Sequence, residues 1–341
     1  MTRTSYRLLL PALLLALLAA VAGCGSSATT DEASGEATSR KATSGGTAAK
    51  VPSVDAGEPQ LPVTFTGDDD VEIKVSSLDR VMVLDDATME IMDALGMADS
   101  IGIAPDTSLV EDAAAHAEER ITMAGRGSLT VEGVVALEPT LVIGTNMTRH
   151  AEVIEGLQDA GIPATLIDGT QSAPEKIRDT AEVLGVPEAG QKLGGRVQKQ
   201  FDQAAARLKG VDKRPRVMVL SSSGAGDSGA TTAAGEQTPA HQVIVKAGGL
   251  NTGAESGLDR YQSITAEGLT SAAPEAIVVA AAEIDDLGGK DGVWDRVKGL
   301  RGTPAAQTKS LIIMEDMRIK GGGVSAGVGI LDLQSQLSPD A

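Results

Sequence analysis

The chain has 341 residues, with 47 acidic and 29 basic side chains, one Cys, 42 % hydrophobic residues and only 1 % aromatics. Its formal net charge of -18 leaves too few Lys and Arg to neutralise phosphates, which excludes general nucleic-acid binding. A single Cys excludes a disulfide framework and a thiolate zinc cluster, and the apolar fraction excludes a wholly disordered chain.

Residues 1–24 read as a lipoprotein signal peptide. Arg3 and Arg7 form a short positive region, and Leu8 to Leu18 is uncharged and apolar but short of the ~20 residues of a spanning helix. Val21-Ala22-Gly23-Cys24 follows, so cleavage would expose the only Cys. This segment resembles the lipobox of bacterial lipoproteins. The resemblance implies lipidation at Cys24 and a membrane anchor on the extracytoplasmic face; the alternative is an ordinary signal peptide. Residues 25–60 begin with a Ser-, Thr-, Ala- and Gly-rich stretch that cannot bury enough apolar area to offset ordering entropy, and they read as a flexible tether.

The remaining chain contains an internal repeat. Arg80-Val81-Met82-Val83-Leu84 recurs unchanged as Arg216-Val217-Met218-Val219-Leu220. Ser128-Leu129-Thr130-Val131-Glu132-Gly133, with Pro139 and Leu141-Val142-Ile143, returns as Ser263-Ile264-Thr265-Ala266-Glu267-Gly268, with Pro274 and Ile277-Val278-Val279. Two matches in the same order at nearly the same separation indicate two homologous lobes. The expected division is 61–172, 173–210 and 211–341: an N-terminal α/β lobe, a connecting helix and a C-terminal α/β lobe.

In chain order, Val81–Leu84, 140–143 and 164–167 are short apolar runs suited to strands covered on both faces. The second lobe offers 217–220, 276–279 and 311–314. Met89, Met92 and Leu95 share a helical face closed by Gly96, and Val153, Ile154 and Leu157 share another closed by Gly161. His116 falls in an acidic helical stretch, 111–120, with an exposed side chain expected. In the connector, Leu193, Val197, Phe201, Ala204 and Leu208 form one apolar stripe on a helix of some 20 residues, about 30 Å long. The predicted fold is α/β: two Rossmann-like lobes from an internal duplication, joined by a long α-helix, with a cleft between them.

Two α/β lobes, a long connector, a lipobox and a tether resemble the substrate-binding lipoproteins of ATP-driven (ABC) importers for ferric siderophores, haem and cobalamin. The motif bearing most of the likeness is Leu129-Thr130-Val131-Glu132-Gly133 with Leu137-Glu138-Pro139-Thr140-Leu141-Val142-Ile143. The resemblance implies that Glu132 and Glu267, one at each lobe tip, dock on Arg residues of the permease. The alternative is that each Glu simply favours the dipole of its helix. It also implies partnership with a permease and its ATPase, and a monomer.

The same resemblance makes the cleft loops ligand-binding. Tyr261, the only Tyr beyond the signal peptide, is a hard oxygen ligand suited to ferric iron, with Arg260 beside it to stabilise a phenolate or pair with a propionate. The alternative for Tyr261 is packing at the lobe edge. Haem-binding relatives often carry Tyr or His where this chain has Arg126, which instead suits an anionic group. Met147, Arg149 and His150 on the next loop offer two iron ligands and a charge; for His150 the alternative is a solvent-exposed helix turn. His241 begins a predicted helix and reads as structural. Few rings remain to grip a flat ligand, so haem and ferric siderophore stand level as cargo, with cobalamin third.

No intrinsic cofactor is expected. An extracellular α/β enzyme is the rival class, but no nucleophile elbow, zinc-binding His pair, P-loop or dinucleotide-binding glycine pattern is present. Ser221 to Gly226 reads as a cleft loop, and Asp68-Asp69-Asp70 as a solvated hairpin turn.

Overall fold

The computed structural model describes residues 49–67, 69–123, 129–145, 147–222 and 231–338. The signal peptide, Cys24 and most of the tether lie outside them. Residues 49–60, read from sequence as the end of the tether, run along the folded body. Val54 and Ala56 N–H donate to the carbonyls of Ala94 (2.7 Å) and Leu95 (3.0 Å), and Val51, Val54 and Ala56 pack on the core.

A hairpin opens the body: β1 (Val63–Thr66) pairs antiparallel with β2 (Glu72–Val75) around exposed Asp69 and Asp70. The first lobe continues with β3 (Val81–Val83), α1 (Asp86–Ala94), β4 (Ile101–Pro105), α2 (Glu111–Ala114), β5 (Glu119–Ile121), α3 (Val131–Val135), β6 (Leu141–Gly144), α4 (Met147–Asp159) and β7 (Ala164–Leu166). Its sheet is wholly parallel in the order β5-β4-β3-β6-β7. The connector is two helices, α5 (Ala173–Val183) and α6 (Pro187–Arg207), separated at Gly185, whose φ is +71°.

The second lobe holds β8 (Arg216–Ser221), β9 (Thr232–Ala233), α7 (Pro239–Lys246), β10 (Leu250–Asn251), α8 (Thr252–Glu255), β11 (Gln262–Ser263), α9 (Ala266–Ala272), β12 (Ala276–Ala280), α10 (Gly289–Arg296), α11 (Pro304–Thr308), β13 (Leu311–Met314) and α12 (Ala326–Leu337). Its sheet runs β11-β9-β8-β12-β13, with β10 also on β8. β8, β12 and β13 are parallel, in the order that β3, β6 and β7 take in the first lobe.

The repeated residues make repeated contacts. Arg80 Nε donates to the Leu137 carbonyl (2.9 Å), five residues beyond Glu132. Arg216 Nη2 donates to the Ala272 carbonyl (2.8 Å), five residues beyond Glu267. The next residue in each case, Glu138 (φ +50°) and Ala273 (φ +43°), turns the chain in the left-handed region. A non-glycine residue rarely adopts that conformation, so its recurrence at matching positions is a strong mark of common descent between the halves.

Strand alternation sends side chains into different cores. Val81, Val83, Leu141 and Ile143 face one side, while Met82 and Val142 face a core of the first lobe alone. Val217, Val219 and Val278 face the same shared side, while Met218, Leu220, Ile277 and Val279 face a core of the second lobe. Between the two sheets Ile177, Leu193, Val197, Phe201 and Ala204 of α5 and α6 complete one continuous apolar cluster.

The expected helix over 111–120 is corrected: α2 ends at Ala114, and Glu119–Ile121 is the edge strand β5. Pairing with β4 satisfies backbone groups that a short, polar helix would leave to water. His116, between the two, is half-exposed and lies 2.7 Å from Asp99 through Nδ1.

Leu193 is fully buried in the shared cluster. Leu193→Ala should cost about 2–5 kcal/mol. Because the core is continuous, urea unfolding followed by Trp294 fluorescence and by far-UV circular dichroism should shift together. A Trp294 transition that stayed in place would show lobes that unfold separately.

Candidate functional site

Parallel strands leave their carboxyl ends, with the loops that follow, on one edge of each sheet, where ligands bind in open α/β folds. In the second lobe three such ends supply a charged cluster: Ser221 from β8, Glu283 just after β12, and Lys320 after β13. Lys320 Nζ donates to Glu283 Oε1 (2.6 Å) and to Ser221 Oγ (3.2 Å), and Ser221 Oγ donates to Glu283 Oε1 (2.8 Å). The Glu283 side chain is only 9 % exposed, so Lys320 compensates a charge that burial would otherwise make costly.

Tyr261 stands against this cluster. It precedes β11, and Lys320 Nζ lies 5.4 Å from the centre of its ring, within cation–π range. The ring packs on the shared core, and the phenol oxygen is buried with no hydrogen-bond partner among the described residues. Burial, and then the Glu283 carboxylate, push the phenol above its ordinary range, so it is neutral near pH 7. Arg260, expected from the resemblance to stabilise a phenolate or pair with a propionate, has an exposed side chain, and Lys320 lies over the ring.

In the first lobe, Asp85 follows β3 and caps α1, accepting from Thr88 N–H (3.0 Å) and, through its other oxygen, from Thr145 N–H (2.5 Å) and Thr145 Oγ1 (3.0 Å). His150, in the first turn of α4, is 4 % exposed, so the reading of a solvent-exposed turn is corrected. Neither of its ring nitrogens has a hydrogen-bond partner among the described residues. Burial and then Arg149 lower its pKa, against the pull of Asp85, and favour a neutral imidazole. Arg149 is exposed. Arg126 and the Met147 side chain lie outside the described residues.

The two repeated glutamates occupy the same local geometry. Each is the second residue of a helix capped by Thr: Thr130 Oγ1 accepts from Gly133 N–H (3.1 Å), and Thr265 Oγ1 from Gly268 N–H (3.0 Å). Both Glu132 and Glu267 are exposed, and among the described residues neither forms an ion pair. His241, in the first turn of α7, has its Nδ1 3.3 Å from Asn251 Nδ2, a structural contact.

Sequence reasoning noted Ser221 only as the start of a cleft loop and did not single out Lys320 or Glu283, which are remote from it and from one another in the chain. The only local signal was Lys320 beside Gly321-Gly322-Gly323. Among the described residues no group of three or more His, Cys, Asp or Glu is placed to hold a metal ion. No helix among them is long and apolar enough to cross a membrane.

The model of the periplasmic binding protein family matches residues 81–317. The chain belongs to that family. Among solved structures, the heme binding protein HmuT is similar, represented by a Tyr→Ala variant with a TM-score of 0.71 at 26 % identity, covering 85 % of this chain and 91 % of that one. Variants of HmuT lacking an arginine or a histidine are similar at 25 % identity. The periplasmic heme-binding protein RhuT from Roseiflexus sp. RS-1 in apo form is 26 % identical, with a TM-score of 0.66 over 76 % of this chain and 98 % of its own. HutB of Vibrio cholerae, also a periplasmic heme binding protein, is 25 % identical, with a TM-score of 0.62 over 77 % and 100 %. Comparison with curated proteins gives no match. Members of this family are binding proteins, and the fold here is the two-lobed form.

An alkaline ultraviolet titration tests the Tyr261 environment. The phenolate step that Tyr261→Phe removes should lie above the range of a free phenol. A step within that range would contradict the buried phenol.

Proposed function

We propose that this periplasmic binding protein is the extracytoplasmic capture component of an ABC importer, and that its cargo is haem held between the lobes. The observation that carries the reading is Tyr261, the only tyrosine beyond residue 24 and a hard oxygen ligand once deprotonated, set against Lys320 and Glu283 at the carboxyl edge of the second sheet. The heme-binding relatives named above support it. The resting phenol is neutral, so binding iron through it requires loss of its proton, and the Lys320 charge favours the resulting phenolate.

In this reading His150, a neutral imidazole in the first lobe, is a second candidate ligand, joined by Met147. Arg126, Arg149 and Arg260 meet the carboxylates of the cargo. Cys24 carries the lipid anchor after cleavage of residues 1–24, so capture takes place at the membrane surface. Residues 61–172 and 211–341 form the two jaws and 173–210 the connector. Glu132 and Glu267, fixed on matching helices, orient the protein on the permease, whose ATPase drives release. Two carboxylates far apart fix orientation and speed encounter more than they add affinity. No covalent chemistry on the cargo is involved.

Hemin added to the purified protein should produce a Soret shift, and Tyr261→Ala should weaken hemin binding by about tenfold or more, roughly 1.4 kcal/mol. Tryptophan quenching by a ferric siderophore with no Soret response to hemin would replace haem by siderophore as cargo. No response to hemin, ferric siderophores or cobalamin would overturn the ligand class. The double variant Glu132→Ala, Glu267→Ala should bind hemin normally and lose uptake in cells; unimpaired uptake would remove the docking role.

A further inference from the structure

Beyond β13 the chain passes through a π-helical turn, Met317–Gly321, and then Gly322, Gly323, Val324 and Ser325 to reach α12. Two side chains from outside the second lobe press on this segment. Glu90 of α1 is 7 % exposed; its Oε1 accepts from Ser325 N–H at 2.9 Å, and its Oε2 is buried with no hydrogen-bond partner among the described residues. A Cβ on Gly323 would stand 2.4 Å from that Oε2 and 3.1 Å from the Ala87 carbonyl oxygen. Lys176 of α5 is 3 % exposed; its Nζ donates to the Gly169 carbonyl at 3.4 Å, and a Cβ on Gly322 would stand 3.0 Å from it. The lack of a Cβ at Gly322 (φ +68°) and Gly323 permits this close approach, so the two lobes meet here with backbone against ionisable side chains.

We propose that the Gly321–Ser325 segment, clasped by Glu90 and Lys176, is the fulcrum on which the two lobes are set, and that the charge on Glu90 governs how firmly it is held. The charged groups around Glu90 come from four elements. Lys176 faces it from α5. Glu315 and Arg318 reach it from the segment after β13. Asp93 on its own helix and Glu111 and Asp112 on α2 line, with Glu90, a groove of about 540 Å³ that is shared by both lobes. The surroundings are therefore mostly acidic, and an ionised Glu90 is opposed by both burial and Glu315.

Burial, with a smaller push from Glu315, outweighs the hydrogen bonds from Ser325 and Val324 that favour the charged form, and raises Glu90 to about 7. The folded chain then keeps the Glu90 proton between the ordinary carboxylate range and about 7, where the unfolded chain has released it. The contribution is full below the unfolded value of 4.5 and is lost as pH rises through about 7. The contact is firmest in mild acid and loosens toward alkaline pH.

Amide hydrogen exchange on the full chain without cargo, corrected for intrinsic rates, tests this. Protection across residues 322–329 should fall severalfold between about pH 5.5 and about pH 8, while α4 shows no matching change. Glu90→Gln keeps an oxygen for Ser325 N–H and removes the titration, so its protection should not depend on pH. Glu315→Gln, should Glu90→Gln fail to fold, ought to move the wild-type step to lower pH. A flat wild-type profile, the same step in Glu90→Gln, or an unmoved step in Glu315→Gln would overturn the proposal. The readout needs no ligand, so its failure is separate from any failure of the haem reading.

Discussion

The structure depends on one apolar cluster that does not respect the boundary between its halves. One face of each sheet empties into it, and α5 and α6 fill the space between with Ile177, Leu193, Val197 and Phe201. Protein interiors are close-packed, so such a cluster resists shear and transmits displacement. Two lobes tied in this way cannot swing like domains on a flexible linker. Their relative motion is confined to what the packing of α5, α6 and α12 permits. The sheets' other faces bury separate cores, which give each lobe its own integrity. A rigid frame of this kind suits capture with little rearrangement.

Charge is then distributed around that frame with distinct consequences. On the carboxyl edge of the second sheet, Lys320, Glu283 and Ser221 compensate one another, and the ammonium lies over the Tyr261 ring. At the meeting of the lobes, Glu90 is held by backbone N–H groups, with acidic neighbours, and so is poised rather than fixed. At the helix starts of α3 and α9, Glu132 and Glu267 stand in solvent on Thr-capped turns, where their charge is available to a partner. The same residue type thus meets three environments, which burial sets apart.

The duplication shows how far sequence carries. Identical strands Val81–Leu84 and Val217–Leu220 mark the centre of each sheet, and the motif around each repeated Glu marks the following helix. Those segments are legible because buried parallel strands are uniformly apolar and because capping Thr residues have a fixed spacing. The structure adds the reason that Arg80 and Arg216 recur: each ties its strand to the carbonyl end of the repeated helix. The outer strands diverge. β4 and β5 are parallel in one lobe, whereas β9 and β11 run antiparallel in the other, and no periodicity distinguishes them. At β5 the pattern suggested helix, because Glu119, Arg120 and Ile121 owe their strand to β4 rather than to local propensity.

Sequence by itself determined the α/β class, the doubled lobes, the helical connector, the repeated glutamates and the notice drawn to Tyr261. These are written in local pattern and internal repetition, which neighbouring residues suffice to specify. Only the tertiary structure decided that Lys320 lies over Tyr261, that His150 is buried, and that Glu90 and Lys176 bear on a glycine turn more than 140 residues away in the chain. Contacts of that kind arise when strand ends distant in sequence are brought to one edge by sheet order. The burial that sets their charge comes from packing, which no single segment encodes.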